Sequence, residues 1–246
     1  QISQGQCWRC DSKVETRELE QWFFKITEYA EELLKDIENL DWSENVKVMQ
    51  RNWIGKSEGV DIFFSVEGTE IRIPTFTTRP DTIFSVTFLV LSPEHPLIEK
   101  LTKGTKYYKE VQEFVKKARE ESVIDRLNEE KEKKGVFTGR YAINPASKER
   151  IPIWVADFAV MEYGTGAVMC DAHDKRDFKF AKKYGIPLKV VIRPVDKPDF
   201  NLNQLTEAYT GDGIMINSEQ FNGLTNIEAL PKIAEWLVNK NNAKRI

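Results

Sequence analysis

The chain has 246 residues, of which 41% are hydrophobic and 30% charged, and its formal net charge is -3. That length can bury a sizeable core and suits one elaborated domain or a domain with a small appendage, while no apolar run approaches the ~20 residues needed to span a bilayer. The charge balance excludes a generally basic nucleic-acid binder and leaves RNA contact to local patches such as Lys179-Phe180-Ala181-Lys182-Lys183.

The start, Gln1-Ile2-Ser3-Gln4-Gly5, has neither the basic nor the apolar region of a secretory signal and no initiator Met, so a segment of a longer chain is expected. Cys7, Cys10 and Cys170 cannot all pair and lack disulfide-scaffold spacing, which points to a reducing, cytoplasmic setting. After Cys7-Trp8-Arg9-Cys10, the apolar positions Leu19, Trp22, Phe23, Ile26, Ala30, Leu33, Leu34 and Ile37 recur every three or four residues. They predict a long helix whose stripe faces a core. A shorter helix is predicted after Ser43, ending near Gly55. The period then becomes two: Val60, Ile62, Phe64 and Val66, a Glu67-Gly68 turn, and Ile71 and Ile73 predict a β-hairpin. Pro80 should interrupt the strand that carries Thr75, before a new strand within residues 84–91. Residues 106–134 read as a charged helical excursion buried on Val111, Phe114, Val115 and Ala118.

Strands are predicted at 135–143, 151–156 and 160–170. A helix should follow, capped by Asp174, carrying Asp177 at its third position and ended by Gly185 and Pro187, and then a strand at 188–192. Thr225 and Glu228 have capping-box spacing for a last helix, with Pro231 marking a later start or a kink. Short strands irregularly spaced among helices predict an α+β fold: a barrel-like mixed or antiparallel β core with peripheral helices, preceded by a mainly helical N-terminal arm. The boundaries fall at 1–58 for the arm, 59–222 for the central domain, and 223–246 for a C-terminal helix and return linker.

Three clusters offer chemistry. Thr75, Thr77, Thr78 and Thr82 supply hydroxyls suited to a ribose, a water or an ester oxygen; β-propensity alone accounts for Thr75 and Thr77, whereas Thr78 and Thr82 flank Pro80. Tyr163-Gly164-Thr165-Gly166 lets backbone amides approach a ligand, yet it is only a fragment of a phosphate-binding fingerprint. In His173-Asp174-Lys175-Arg176-Asp177 both carboxylates share the first helical turn, where capping explains them without function. Alternatively, Asp177 receives a cation such as a substrate ammonium. His95 and His173 are the only histidines, too few for a three-histidine metal site. No cofactor is expected, and zinc at Cys7 and Cys10 only with residues outside the chain.

Phe76-Thr77-Thr78-Arg79-Pro80-Asp81-Thr82, followed by Leu89-Val90-Leu91-Ser92-Pro93-Glu94-His95-Pro96, resembles the editing insertion of bacterial-type leucyl-tRNA synthetases. Gln21-Trp22-Phe23, Met49-Gln50-Arg51-Asn52-Trp53-Ile54-Gly55-Lys56-Ser57-Glu58-Gly59, Gly139-Arg140-Tyr141-Ala142-Ile143-Asn144-Pro145, Tyr163-Gly164-Thr165-Gly166-Ala167-Val168-Met169 and His173-Asp174-Lys175-Arg176-Asp177 occur in that family's order. The resemblance implies the class I synthetase editing-domain fold and a deacylase acting on tRNA(Leu) mischarged with isoleucine, norvaline or similar residues. The His-Ile-Gly-His and Lys-Met-Ser-Lys-Ser signatures of a synthetic site are missing from the sequence, which places ATP-driven activation elsewhere in the synthetase. The implied partners are the tRNA(Leu) 3′ end with its mischarged aminoacyl-adenosine and the rest of the synthetase, in a monomer with no membrane contact.

Carried over by motif, the catalytic residues are Asp177, Thr78 and Thr82, with Thr82 excluding leucine's branched end and Asp177 anchoring the α-amino group. Phe76, Thr77, Arg79, Tyr163, Met169, His173, Asp174 and Arg176 would bind substrate. Family members commonly carry four residues between the Met of the glycine strand and the His before the aspartates; here only Cys170-Asp171-Ala172 intervene. The alternatives are the editing domain of a valyl- or isoleucyl-tRNA synthetase, or a non-catalytic tRNA-binding insert. Asp81-Thr82 and Ser92-Pro93-Glu94-His95-Pro96 favour the leucyl family.

Overall fold

The computed structural model describes residues 2–3, 6–12, 14, 20–128, 131–161, 163–200 and 205–246. The chain divides into two compact units, Gln1–Glu58 and Gly59–Ile246.

In the first unit, β1 (Ile2–Ser3) pairs antiparallel with β2 (Gln6–Cys7). A 3-10 turn over Ile26–Tyr29 runs into α1 (Ala30–Ile37), and α2 (Glu44–Ile54) follows. Gly55 closes α2 at φ 65°, a left-handed position that glycine adopts without the Cβ clash. Arg51 joins the two helices by binding Glu38 and Glu44. The long helix expected from the apolar stripe is not formed: residues 20–25 are irregular, and Leu19 lies outside the described residues. Trp22 is 101% exposed, and Ile37 is the single buried hydrophobic among the described residues of this unit. A helical period stabilises a helix mostly through burial of its stripe, and Trp22, Phe23, Ile26 and Leu33 are exposed.

The second unit is built on a seven-stranded sheet. Its hairpin is β3 (Val60–Val66) and β4 (Arg72–Thr77), in register from Val60↔Thr77 to Ser65↔Arg72, and Val60, Ile62, Phe64 and Val66 are all buried as the period-two pattern requires. Beyond it come β5 (Phe88–Leu91), α3 (Leu97–Thr102), α4 (Tyr108–Glu120) and α5 (Val123–Leu127). Then follow β6 (Gly135–Ile143), β7 (Arg150–Ala156), β8 (Ala167–Cys170) and α6 (Lys175–Tyr184). The chain ends with a small ribbon, β9 (Ile192–Arg193) and β10 (Ile214–Met215), then α7 (Asn226–Asn239) and β11 (Ala243–Arg245). Strand order is β11-β3-β6-β7-β5-β8, with β4 on β3; β5 and β7 are parallel and the other pairs antiparallel. The sheet is therefore mixed with peripheral helices, and among the described residues its strand path is not closed into a barrel.

Several elements differ from expectation. Residues 80–85 form a 3-10 helix, and β5 starts only at Phe88, because Pro80 opens a helical turn more readily than it ends a strand. The strand expected at 160–170 is confined to β8, and the one at 188–192 to Ile192–Arg193. α3 was unforeseen. Residues 223–246, expected as a separate helix and linker, fall inside the second unit: β11 pairs with β3, and Trp236 of α7 stacks on Phe84 at 6.0 Å. The capping box at Thr225 and Glu228 forms, and Pro231 sits within α7 without displacing its start. Among the described residues, no helix is long and apolar enough to cross a membrane.

Candidate active site

Two segments supply the site, the turn that follows β4 and the connection from β8 to α6. The first is the threonine-rich turn after β4. Thr77 Oγ1 accepts the Arg79 amide at 2.9 Å, which turns the chain out of the strand, and Pro80 then begins the 3-10 helix that buries Asp81 and Thr82. Arg79 Nε and Nη2 donate to Asp81 Oδ1 and Oδ2 at 2.9 and 2.7 Å, a two-point contact that fixes the guanidinium plane. The bond to Asp81 pushes the Arg79 pKa up. Asp81, which sequence reasoning had not assigned a role, thus orients Arg79 from full burial. Thr78 is exposed at the mouth of the turn.

The second segment runs from β8 into α6. Pairing of β8 with β5 in the register Phe88↔Cys170 to Leu91↔Ala167 carries residues 171–173 back beside the 3-10 helix. There Thr82 Oγ1 meets Asp171 Oδ2 at 2.7 Å, and Ala172 N donates to Ser85 Oγ at 3.1 Å. Met169, also on β8, is buried. Asp174 caps α6, its Oδ1 accepting the Arg176 and Asp177 amides at 2.8 and 3.0 Å. Asp177 is 2% exposed, and burial raises its pKa to about 7 against the opposing charge of Arg176. Arg176 donates to Asp177 Oδ1 at 3.0 Å and lies 4.4 Å from the Phe158 ring centroid. Burial disfavours the Arg176 charge, and Asp177 outweighs it, so the Arg176 pKa rises.

His173 has a different place from the substrate-binding one expected of it. Its Nε2 accepts the Val191 and Ile192 amides at 3.0 and 3.2 Å, so the ring proton sits on Nδ1, facing Tyr209 O at 2.8 Å. Both ring nitrogens are committed to backbone, and the side chain acts as a strut. Tyr163 is exposed and meets Phe76 edge-on with centroids 6.2 Å apart. Gly164, at φ 64°, lies where a Cβ would touch Phe76 Cβ at 3.0 Å, so the glycine lets this aromatic pair close.

A cavity of about 790 Å³ adjoins the start of α6, lined by Lys131, Lys175, Arg176, Lys179 and Lys183 among others, with Asp174 and Glu132 as its acids. Among the described residues no group of three His, Cys, Asp or Glu side chains is placed to hold a metal.

The model of one family, described as leucyl-tRNA synthetase, editing domain, matches residues 51–238. Over its whole length the chain is 54% identical to leucine–tRNA ligase of Thermotoga maritima and 52% identical to that of Oleidesulfovibrio alaskensis. It spans 30% of the length of each of these relatives. A solved ternary complex of an Agrobacterium radiobacter K84 LeuRS with tRNA and LeuAMS aligns with 98% of this chain and 26% of that one, at 31% identity and a TM-score of 0.75.

Proposed function

The chain belongs to the editing domains of leucyl-tRNA synthetases, and from that premise we propose that it hydrolyses the ester of tRNA(Leu) carrying isoleucine, norvaline or a similar wrong amino acid. It does so as one part of a longer synthetase whose synthetic site lies outside these residues. One arrangement carries the proposal: a buried carboxyl, Asp177, with its pKa near 7 at the start of α6, follows directly on the segment through which Asp171 holds Thr82.

Selection by one methylene gives only ~1–3 kcal/mol, too little for accurate charging, so a second site must reject the correct product by shape. A β-branched side chain is stiff at χ1, and Thr82 is stiffened further by the bonds at its hydroxyl, which suits it to exclude leucine's branched end. An aminoacyl ester is already activated. Fixing its ammonium on Asp177 and a water near its carbonyl supplies the orientation that hydrolysis needs, without a strong protein base. Thr78, exposed at the mouth, is the hydroxyl best placed to hold that water or the ester oxygen. Arg79, held flat by Asp81, and the Phe76–Tyr163 pair suit the terminal adenosine. The lysine-lined cavity and the tRNA in the solved neighbour's complex support the tRNA 3′ end as partner.

Incubating the protein with isoleucyl- and leucyl-tRNA(Leu) tests this. The isoleucyl ester is expected to disappear while the leucyl ester persists; equal survival of both, with tRNA still bound, would establish a non-catalytic insert instead.

A further inference from the structure

Asp171 has no part in the roles above, yet its side chain joins the two halves of the site at Thr82. It is 7% exposed, its Oδ1 accepts the His173 amide at 2.6 Å, and its Oδ2 lies 2.7 Å from Thr82 Oγ1. Thr82 Oγ1 is also 3.1 Å from Arg79 O, which can only accept and which already faces the Thr82 amide at 3.2 Å. A hydroxyl has one proton. Thr82 therefore donates it to an ionised Asp171, or it receives a proton from a neutral Asp171 and donates its own to Arg79 O. In either state Oγ1 remains bound to Asp171. On a β-branched side chain, fixing Oγ1 fixes the γ-methyl as well.

We propose that Asp171 is a specificity-determining positioning residue: by holding Thr82 Oγ1 it sets the γ-methyl against which leucine's branched end is rejected. This rests on the deacylase reading above and adds to it that the sieve is controlled from the short segment between β8 and α6, across 89 residues of sequence.

The test is made in the full-length synthetase, reading kcat/KM for isoleucyl- and leucyl-tRNA(Leu) separately. Asp171→Ala is expected to lower the isoleucyl-to-leucyl ratio about tenfold, the equivalent of one lost hydrogen bond to a charged group, through faster loss of the leucyl ester. Asp171→Asn restores the ratio, because its Oδ1 still accepts the His173 amide while its amide group donates to Thr82 Oγ1, whose proton then goes to Arg79 O. In a Thr82→Ala background, Asp171→Ala changes the ratio no further. Should Asp171→Ala fail to fold, Asp171→Ser is the second variant: its hydroxyl accepts the His173 amide but is too short to hold Thr82, and the same drop is expected. An unchanged ratio in whichever of these variants folds, or a parallel slowing of both esters, overturns the positioning role. If the unaltered protein hydrolyses neither ester, the deacylase reading falls and takes this inference with it; isoleucyl hydrolysis with a ratio insensitive to Asp171 overturns the inference alone.

Discussion

The threonine turn and the start of α6 each bury polar side chains, and they solve the cost of burial differently. In the turn, hydroxyls and amides bond to near neighbours: Thr77 to the Arg79 amide, Thr82 to Arg79 O. The charges of the turn are paired, Arg79 with Asp81, and the one carboxyl at Thr82 reaches it from Asp171 in the other segment. At the helix start, carboxylates take the load. Asp174 is half exposed and bonded to two amides, whereas Asp177, three residues on, is buried beside a single cation and carries a pKa near 7. On the proposed function, shape selection falls to the turn and charge recognition to the helix, and substitutions should separate the two.

The largest expected effect is on the charged side. Asp177→Ala removes the ammonium anchor and should cut isoleucyl-tRNA deacylation by on the order of 10²-fold, the upper range for a hydrogen bond to a charged group. Initial rates at saturating tRNA would show it; a loss below about threefold in those rates would reduce Asp177 to a structural carboxyl. Thr82→Ala acts on shape. It should leave isoleucyl hydrolysis nearly intact and speed leucyl hydrolysis by about 10- to 100-fold, the range that one methyl group can discriminate. Continued protection of leucyl-tRNA would remove Thr82 from the sieve.

The pH profile sharpens the contrast. The folded pKa of Asp177, about 7, lies above the ordinary aspartate value of 3.8, so the folded state holds this proton more tightly than the unfolded chain. Stability is accordingly lost as pH rises through about 7, and the carboxylate needed for the ammonium appears over the same range. The substrate's own α-amino group loses its charge near ~8. A narrow bell in kcat/KM is expected, with its rising limb near 7 set by Asp177. Thr82→Ala should leave that limb in place, and a rising limb near pH 4 would show Asp177 ionised well before the assay range.

Much of the local structure of these two segments was legible in the sequence, for reasons that differ by segment. The hairpin announced itself because only one face of β3 is fully buried, and α6 because Asp174, Asp177 and Gly185 are local signals for its two ends. Residues 80–86 are buried on every side, which erases periodicity, so the 3-10 helix was hidden behind Pro80. The stripe from Leu19 to Ile37 misled because period alone does not say whether a partner surface exists. Asp171 was visible only as part of a shortened segment between Met169 and His173; its partner, Thr82, is brought near by the β5–β8 register, which no local pattern encodes.

The smallest predicted effect separates Asp174 from Asp177. Both stand in the first turn of α6, and the sequence alone allows either to be cap or anchor. Asp174 adopts the extended cap conformation, and its Oδ1 takes both free amides. Asp174→Ala should therefore cost about 1 kcal/mol of stability, as loss of an N-cap does, seen as a lower midpoint in urea unfolding. Asp174→Ser should recover most of that loss, because a serine hydroxyl caps nearly as well. Deacylation should follow stability for both variants, with little change at temperatures where each is folded. If Asp174→Ser restores the midpoint but leaves the reaction as impaired as in Asp174→Ala, then Asp174 meets substrate directly, and the separation of cap from anchor at the start of α6 is lost.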